Sequence, residues 1–190
     1  MTSPFDARPI VVAIAGPNGA GKTTFHEAHV APAGLRFVNA DVLAGALEVG
    51  PYDAAELAAR VRQALVDQGE SFVFETVFSD PKGEKLEFLK RAARGGHAVV
   101  LCFVGLDSVE QSEERVAMRV LQGGHDVPRE KLRARYPRTL KNLARAVREL
   151  PLVLVYDNAD LARPFRKVAA YELGKPVAKH PPLPRWLPRR

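Results

Sequence analysis

Ile10-Val-Val-Ala-Ile-Ala-Gly16-Pro-Asn-Gly-Ala-Gly-Lys-Thr23 is the stretch whose reading decides the fold. Its first half is a continuous apolar run rich in β-branched residues, the pattern of a strand buried on both faces of a parallel sheet. Its second half fits G-x-x-x-x-G-K-[ST], a turn whose successive backbone N–H groups point inward and wrap phosphate oxygens. Side chains at Gly19 and Gly21 would crowd those phosphates. The helix opening at Lys22 adds its positive end, Lys22 reaches the β- and γ-phosphates, and the Thr23 hydroxyl faces Mg²⁺. Gly16, Pro17, Asn18, Gly19, Ala20, Gly21, Lys22, Thr23 and Thr24 are therefore the expected nucleotide-binding residues, with ATP and Mg²⁺ as ligands and Thr23 as the metal residue.

Outward from that stretch the chain alternates strand and helix signals. Helix is expected over Lys22–Val30, a short strand at Arg36–Asn39, and a helix from Tyr52 to Gln68 closed by Gly69. Ser71–Glu75 reads as the third strand, 82–94 as a helix stopped by Gly95-Gly96, and His97–Gly105 as the fourth strand. Ser108 with Gln111 three residues on forms a capping box for a helix over 108–122. Pro128 starts a basic helix reaching about Glu149, and Leu152–Tyr156 is a fifth strand before Asp157-Asn158. This alternation specifies an α/β fold: a three-layer P-loop NTPase with a five-stranded, mostly parallel sheet, helices on both faces and an Arg-rich helical lid. The expected division is a P-loop domain over 1–173, with the lid at about 119–148, and a Pro-rich basic arm over 174–190, either an extended arm that packs Trp186 onto the domain or a free tail.

The chain has 190 residues, 28 Lys+Arg against 22 Asp+Glu, and one cysteine. One thiol forms no internal disulfide and no multi-cysteine metal cluster, so a reducing, cytoplasmic setting is expected. Neither a signal-peptide pattern at the amino terminus nor a membrane-length apolar run is visible. The formal charge of +6 is unevenly spread: Arg115–Arg148 holds ten basic and two acidic residues, and the remainder carries a net −2. A segment of that kind is either a solvated helical face or a phosphate-binding lid.

Asn39-Ala-Asp41 follows the second strand and Glu75-Thr76 ends the third, so a parallel sheet delivers both to the edge that bears the phosphate loop. A kinase needs a base near the acceptor hydroxyl. Asp41 is the candidate, with a helix N-cap as its competing role. Glu75 is a candidate for holding a Mg²⁺-bound water or a substrate hydroxyl, or else a strand-end turn residue. Asp157 has the look of a Walker-B aspartate but equally of a turn. Arginines over the γ-phosphoryl lower the barrier to its transfer. Arg115 and Arg119 share one helix face, and Gly123-Gly124-His125 forms a hinge before Arg133, Arg135 and Arg138.

The phosphate loop, Val38-Asn-Ala-Asp41, Phe74-Glu-Thr76, Arg119-Val-Leu-Gln-Gly-Gly-His-Asp-Val-Pro128 and Arg135-Tyr-Pro-Arg138 together resemble the zeta-toxin-like P-loop kinases, especially their short single-domain branch. That resemblance spans roughly residues 10–160. It implies an ATP-dependent kinase in which Asp41, Lys22, Arg119 and Arg135 are catalytic and Glu75, Thr76, Asn39 and Arg138 meet the substrate. It also implies a small-molecule acceptor, such as a UDP-N-acetyl amino sugar, and an antitoxin protein as a partner. The alternative is an ATPase, or a nucleotide-dependent protein that binds nucleic acid or a partner. Nucleic acid is the less expected ligand, because Tyr136 is the one aromatic residue in the basic segment. No membrane association is expected.

Overall fold

The structure is a computed structural model that describes residues 3–47 and 50–188, the side chains of residues 41, 51 and 52 excepted. Its strands are β1 (Ile10–Ala15), β2 (Arg36–Val38), β3 (Phe72–Thr76), β4 (Ala98–Gly105), β5 (Leu152–Asp157), β6 (Arg166–Glu172) and β7 (Lys175–Lys179). The helices are α1 (Lys22–Phe25), α2 (Ala40–Leu47), α3 (Pro51–Asp67), α4 (Glu84–Arg94), α5 (Val109–Leu121) and α6 (Arg129–Glu149). All seven strands form one sheet in the order β2-β3-β1-β4-β5-β6-β7. The first five in this order are mutually parallel, and β6 and β7 continue antiparallel.

The sequence reading of five strands is thus corrected to seven. Pro164 and Gly174, with the prolines beyond, obscured the period-2 pattern of Val168, Ala170 and their neighbours. An edge strand such as β7 buries little, which removes the hydrophobic run that marks an inner strand.

Alternate residues of each inner strand feed two cores. Val11, Ala13, Phe72, Phe74, Leu101, Phe103 and Val153 face α3, α4 and α6, while Ile10, Val12, Ile14, Val73, Val100 and Val104 face Phe25, Val30 and Phe5. All six residues of β1 are buried, as a central strand requires. The helix after the phosphate loop is not uniform. It begins as α1 and passes into a π-helical turn at His26–Val30, which buries His26 against Phe37 with ring centroids 3.9 Å apart.

The topology positions the site. After β1 the chain crosses to β2 and returns to β3, and after β3 it passes over β1 to β4. The direction of winding therefore changes between β1 and β4, and the crevice beyond their carboxyl ends is where such sheets bind ligands. No described helix is long and apolar enough to cross a membrane.

Candidate active site

Residues 16–23 leave β1 at that crevice, and three of the loop's glycines answer to contacts within the protein. A Cβ on Gly16, at φ +151°, would run into the carbonyl oxygen of Val104 on β4. One on Gly19 would lie 3.0 Å from Cβ of Arg115, and one on Gly21 2.9 Å from the side-chain nitrogen of Asn158. The loop is clamped as well as bare. Ser112 Oγ of α5 donates to Asn18 O at 2.6 Å, and Asn158 Nδ2 donates to Ala20 O at 2.9 Å. Asn158 also accepts from Phe165 N at its Oδ1, so one buried amide ties the phosphate loop to the β5–β6 connection. Neither Ser112 nor Asn158 carries a sequence signal beyond lying near a strand end or a capping box.

Lys22 Nζ donates to the carbonyls of Gly16 and Pro17 at 3.1 and 3.0 Å, placing the ammonium over the mouth of the loop. Thr23 Oγ1 donates to Glu75 Oε2 at 3.3 Å. This contact joins the first residue expected to face Mg²⁺ with a carboxylate from β3, which the register places one residue before the Thr76–Ala15 pair. A hydroxyl and a carboxylate side by side are hard oxygen donors of the kind Mg²⁺ takes alongside phosphates and waters. No group of three or more His, Cys, Asp or Glu side chains among the described residues could hold a metal without such help.

The other expected substrate residues fall into different settings. Asn39 is buried immediately before α2, and its carbonyl accepts from Leu43 N at 3.1 Å. Helix α2 begins at Ala40, so Asp41 stands in its first turn and not at its cap. The side chain of Asp41 lies outside the described residues. Thr76 Oγ1 accepts from Phe78 N at 2.9 Å, which closes a turn in which Phe78 has φ +60°. Asp157 Oδ1 accepts from Ala159 N and Oδ2 from Arg166 at 3.1 Å, the contacts of a turn residue held by an ion pair.

The arginines divide sharply. Arg115 lies against the phosphate loop and donates to Asn158 O at 2.6 Å, with burial pulling its pKa below the ordinary value despite Asp157 nearby. Arg119 is exposed and donates to His125 O at 2.7 Å, bracing the Gly123-Gly124 turn. Arg129 and Arg133 both bind Glu113 of α5, each with a contact of 2.6 Å. Those two guanidinium groups, Arg133 first, hold the buried Glu113 carboxyl below the usual carboxylate range. Arg135 and Arg138 are partly exposed and join none of these ion pairs. The hydroxyl of Tyr136, between them in sequence, donates to Leu106 O at 2.9 Å, so the middle of α6 rests on the end of β4.

Comparison with known proteins adds an independent line. A family model described as Zeta toxin matches residues 38–168, a stretch that begins after the phosphate loop. No curated protein sequence matches the chain. Among solved structures, a chain of the AvrRxo1-ORF1:-ORF2 complex with ATP superposes at TM-score 0.70 and 19% identity, covering 90% of this chain and 61% of that one. The PezAT chromosomal toxin-antitoxin system of Streptococcus pneumoniae gives TM-score 0.56 at 17% identity, with coverage of 79% and 68%. A sugar kinase from Janibacter gives 0.50 at 20% identity, with coverage of 82% and 87%. The chain spans about 61% of the length of the AvrRxo1 chain it matches.

Proposed function

Because the chain belongs to the zeta toxin family and has the P-loop kinase fold, we propose that it is an ATP-dependent phosphotransferase acting on a hydroxyl of a small acceptor. The observation that carries this reading is the Thr23–Glu75 contact at 3.3 Å beneath a clamped phosphate loop. In a switch or a motor the same loop serves hydrolysis, whereas on this reading Glu75 and Asp41 serve the acceptor side of the γ-phosphate. Thr23 and Glu75 are the residues that would hold Mg²⁺. A Mg²⁺ ion bound there would neutralise charge on the β- and γ-phosphates.

In this mechanism Lys22 swings from the carbonyls of Gly16 and Pro17 onto the phosphate oxygens. The backbone N–H groups of residues 18–23 take the remaining oxygens, and Asp41 accepts the proton of the attacking hydroxyl as the γ-phosphoryl passes to it. Arg135 of α6 faces the developing charge, Arg119 reaches it when the lid closes, and Arg138, about one turn further along α6, meets the acceptor. Asn39, Glu75 and Thr76 line the acceptor side. A UDP-N-acetyl amino sugar is the acceptor we favour, and the PezAT likeness supports an antitoxin as a protein partner. The ion pairs of Glu113 with Arg129 and Arg133, and of Arg145 with Glu87 and Glu149, take up part of the basic segment, which weighs against phosphate-backbone binding.

Substitution separates the roles. Asp41→Asn is expected to lower the rate of phosphoryl transfer from ATP by about 10²–10⁴ while leaving nucleotide affinity within a few fold. Lys22→Ala is expected to weaken both. Stopped-time assays with γ-labelled ATP, alongside titration with a fluorescent ATP analogue, measure the two quantities. Full transfer rate in Asp41→Asn would remove Asp41 as the base.

A further inference from the structure

The loop after β3 is held by three bonds to its backbone. Thr139 Oγ1 donates to Val77 O at 2.9 Å, and Asn142 Nδ2 donates to Phe78 O at 2.9 Å and to Asp80 O at 3.0 Å. Buried Phe78 is pinned at φ +60°, a conformation a bulky residue adopts only when its surroundings over-determine it. This stitching engages the main chain of Asp80 and leaves its side chain out. Both carboxylate oxygens of Asp80 are buried, and neither has a hydrogen-bond partner among the described residues. Nε of Arg138 is in the same condition.

A buried ionisable group without a partner is costly, and such groups persist where a ligand meets them. The location agrees. Asp80 follows Glu75, whose carboxylate meets the Thr23 hydroxyl, by five positions. Arg138 precedes Asn142 by one turn on the same face of α6. Helix α6 leads into parallel β5, so it runs from the carboxyl edge of the sheet toward the opposite edge, and Arg138 lies on the phosphate-loop side of Asn142. An acceptor-only carboxylate and one buried N–H of a partly exposed guanidinium are thus without hydrogen-bond partners in the loop that follows the acceptor-side strand and on the helix stitched to it.

Resting on the phosphotransfer reading, we propose that Asp80 is a specificity-determining residue of the acceptor site. Its carboxylate takes a hydroxyl or N–H donor of the acceptor other than the hydroxyl that is phosphorylated, and Arg138 takes a neighbouring acceptor oxygen. Asp80 gains and loses no proton in the reaction. The proton of the attacking hydroxyl goes to Asp41.

Two measurements on the full chain test this. The first is thermal melting without added ligand, and the second is acceptor kinetics by γ-label transfer, with UDP-N-acetylglucosamine and glucose as probes. Asp80→Asn replaces a half-buried side chain whose two carboxylate oxygens have no hydrogen-bond partner with one that can also donate, so its Tm is expected to rise by about 2–4 °C. With any probe that the wild type labels, the acceptor KM is expected to rise about tenfold or more while kcat changes less than about threefold. An unchanged or lower Tm overturns the proposal, a fall being the mark of a carboxylate that merely favours the start of α4. An unchanged acceptor KM overturns it as well. If the wild type labels neither probe, transfer to those acceptors fails as a reading, and the melt still decides whether Asp80 is held unpartnered.

Discussion

The glycines of the phosphate loop show how much a single position can be asked to satisfy. From sequence, Gly19 and Gly21 look bare so that phosphates can approach, yet in the fold they are also hemmed in by Arg115 and Asn158, and Gly16 by β4. Gly16→Ala is therefore expected to destabilise the protein by about 2–4 kcal/mol even without nucleotide, measured by urea unfolding. A loss confined to nucleotide affinity would mean that the β4 contact is slack. His26 offers a second test at this scale. Burial on the π-helical turn pulls its pKa below 6.5, with Glu27 opposing. The folded state thus favours the neutral ring, and this contribution is complete above about pH 6.5 and is lost as the pH falls from there toward the lowered folded value. Wild-type stability should decline between about pH 7 and 5.5 more steeply than that of His26→Phe, which keeps the stacking on Phe37. Parallel slopes for the two proteins would contradict the burial argument.

Among the elements, the inner strands and helices α3 and α4 were legible from their apolar residues, and α6 from Pro128 at its start and the basic run that follows. The N-cap was legible too, since Gln111 N donates to Ser108 Oγ at 3.3 Å, but Gln111 Oε1 accepts from Asp107 N at 3.0 Å, one residue before the Ser108 N–H that a capping box uses. What sequence could not assign was the use of each lid arginine, since ten basic residues in one segment look alike until Glu113 selects Arg129 and Arg133. The seating of α6 depends on that selection. Glu113→Gln is expected to raise amide exchange over residues 129–136 at neutral pH by loosening the start of α6 from α5. The Glu113 carboxyl is held below its usual range, so its contribution is present above about pH 4.3 and lost as the pH falls through the lower folded value. The difference between wild type and variant should accordingly close in acid. Equal protection at neutral pH would show that the remaining contacts between α5 and α6 seat the helix without Glu113.

Taken whole, the molecule is a parallel P-loop sheet extended by an antiparallel pair and closed by its own carboxyl-terminal segment. Trp186 lies against Gly105, where a Cβ would meet its indole ring, and 5.8 Å from Phe103. The segment beyond Leu173, read from its prolines as an extended arm, is in the structure an edge strand followed by this buried indole. Trp186→Ala is expected to cost about 3–5 kcal/mol and to lower Tm by roughly 10 °C. The uneven charge also resolves at this scale. Internal carboxylates already hold Arg129, Arg133 and Arg145 of the basic segment, and of those left on α6, Lys131, Arg135 and Arg138 lie in the half nearer the carboxyl edge, where phosphates are expected, whereas Arg148 lies in the last turn at the opposite edge. The central claim is transfer of the γ-phosphoryl to a small molecule, and it is tested most directly by incubating the pure protein with γ-labelled ATP, Mg²⁺ and a pool of cytosolic metabolites that includes UDP-sugars. The expected result is one new labelled metabolite that disappears in Lys22→Ala and in Asp41→Asn. Label released only as inorganic phosphate, at equal rates with and without the pool, would contradict it and identify an ATPase.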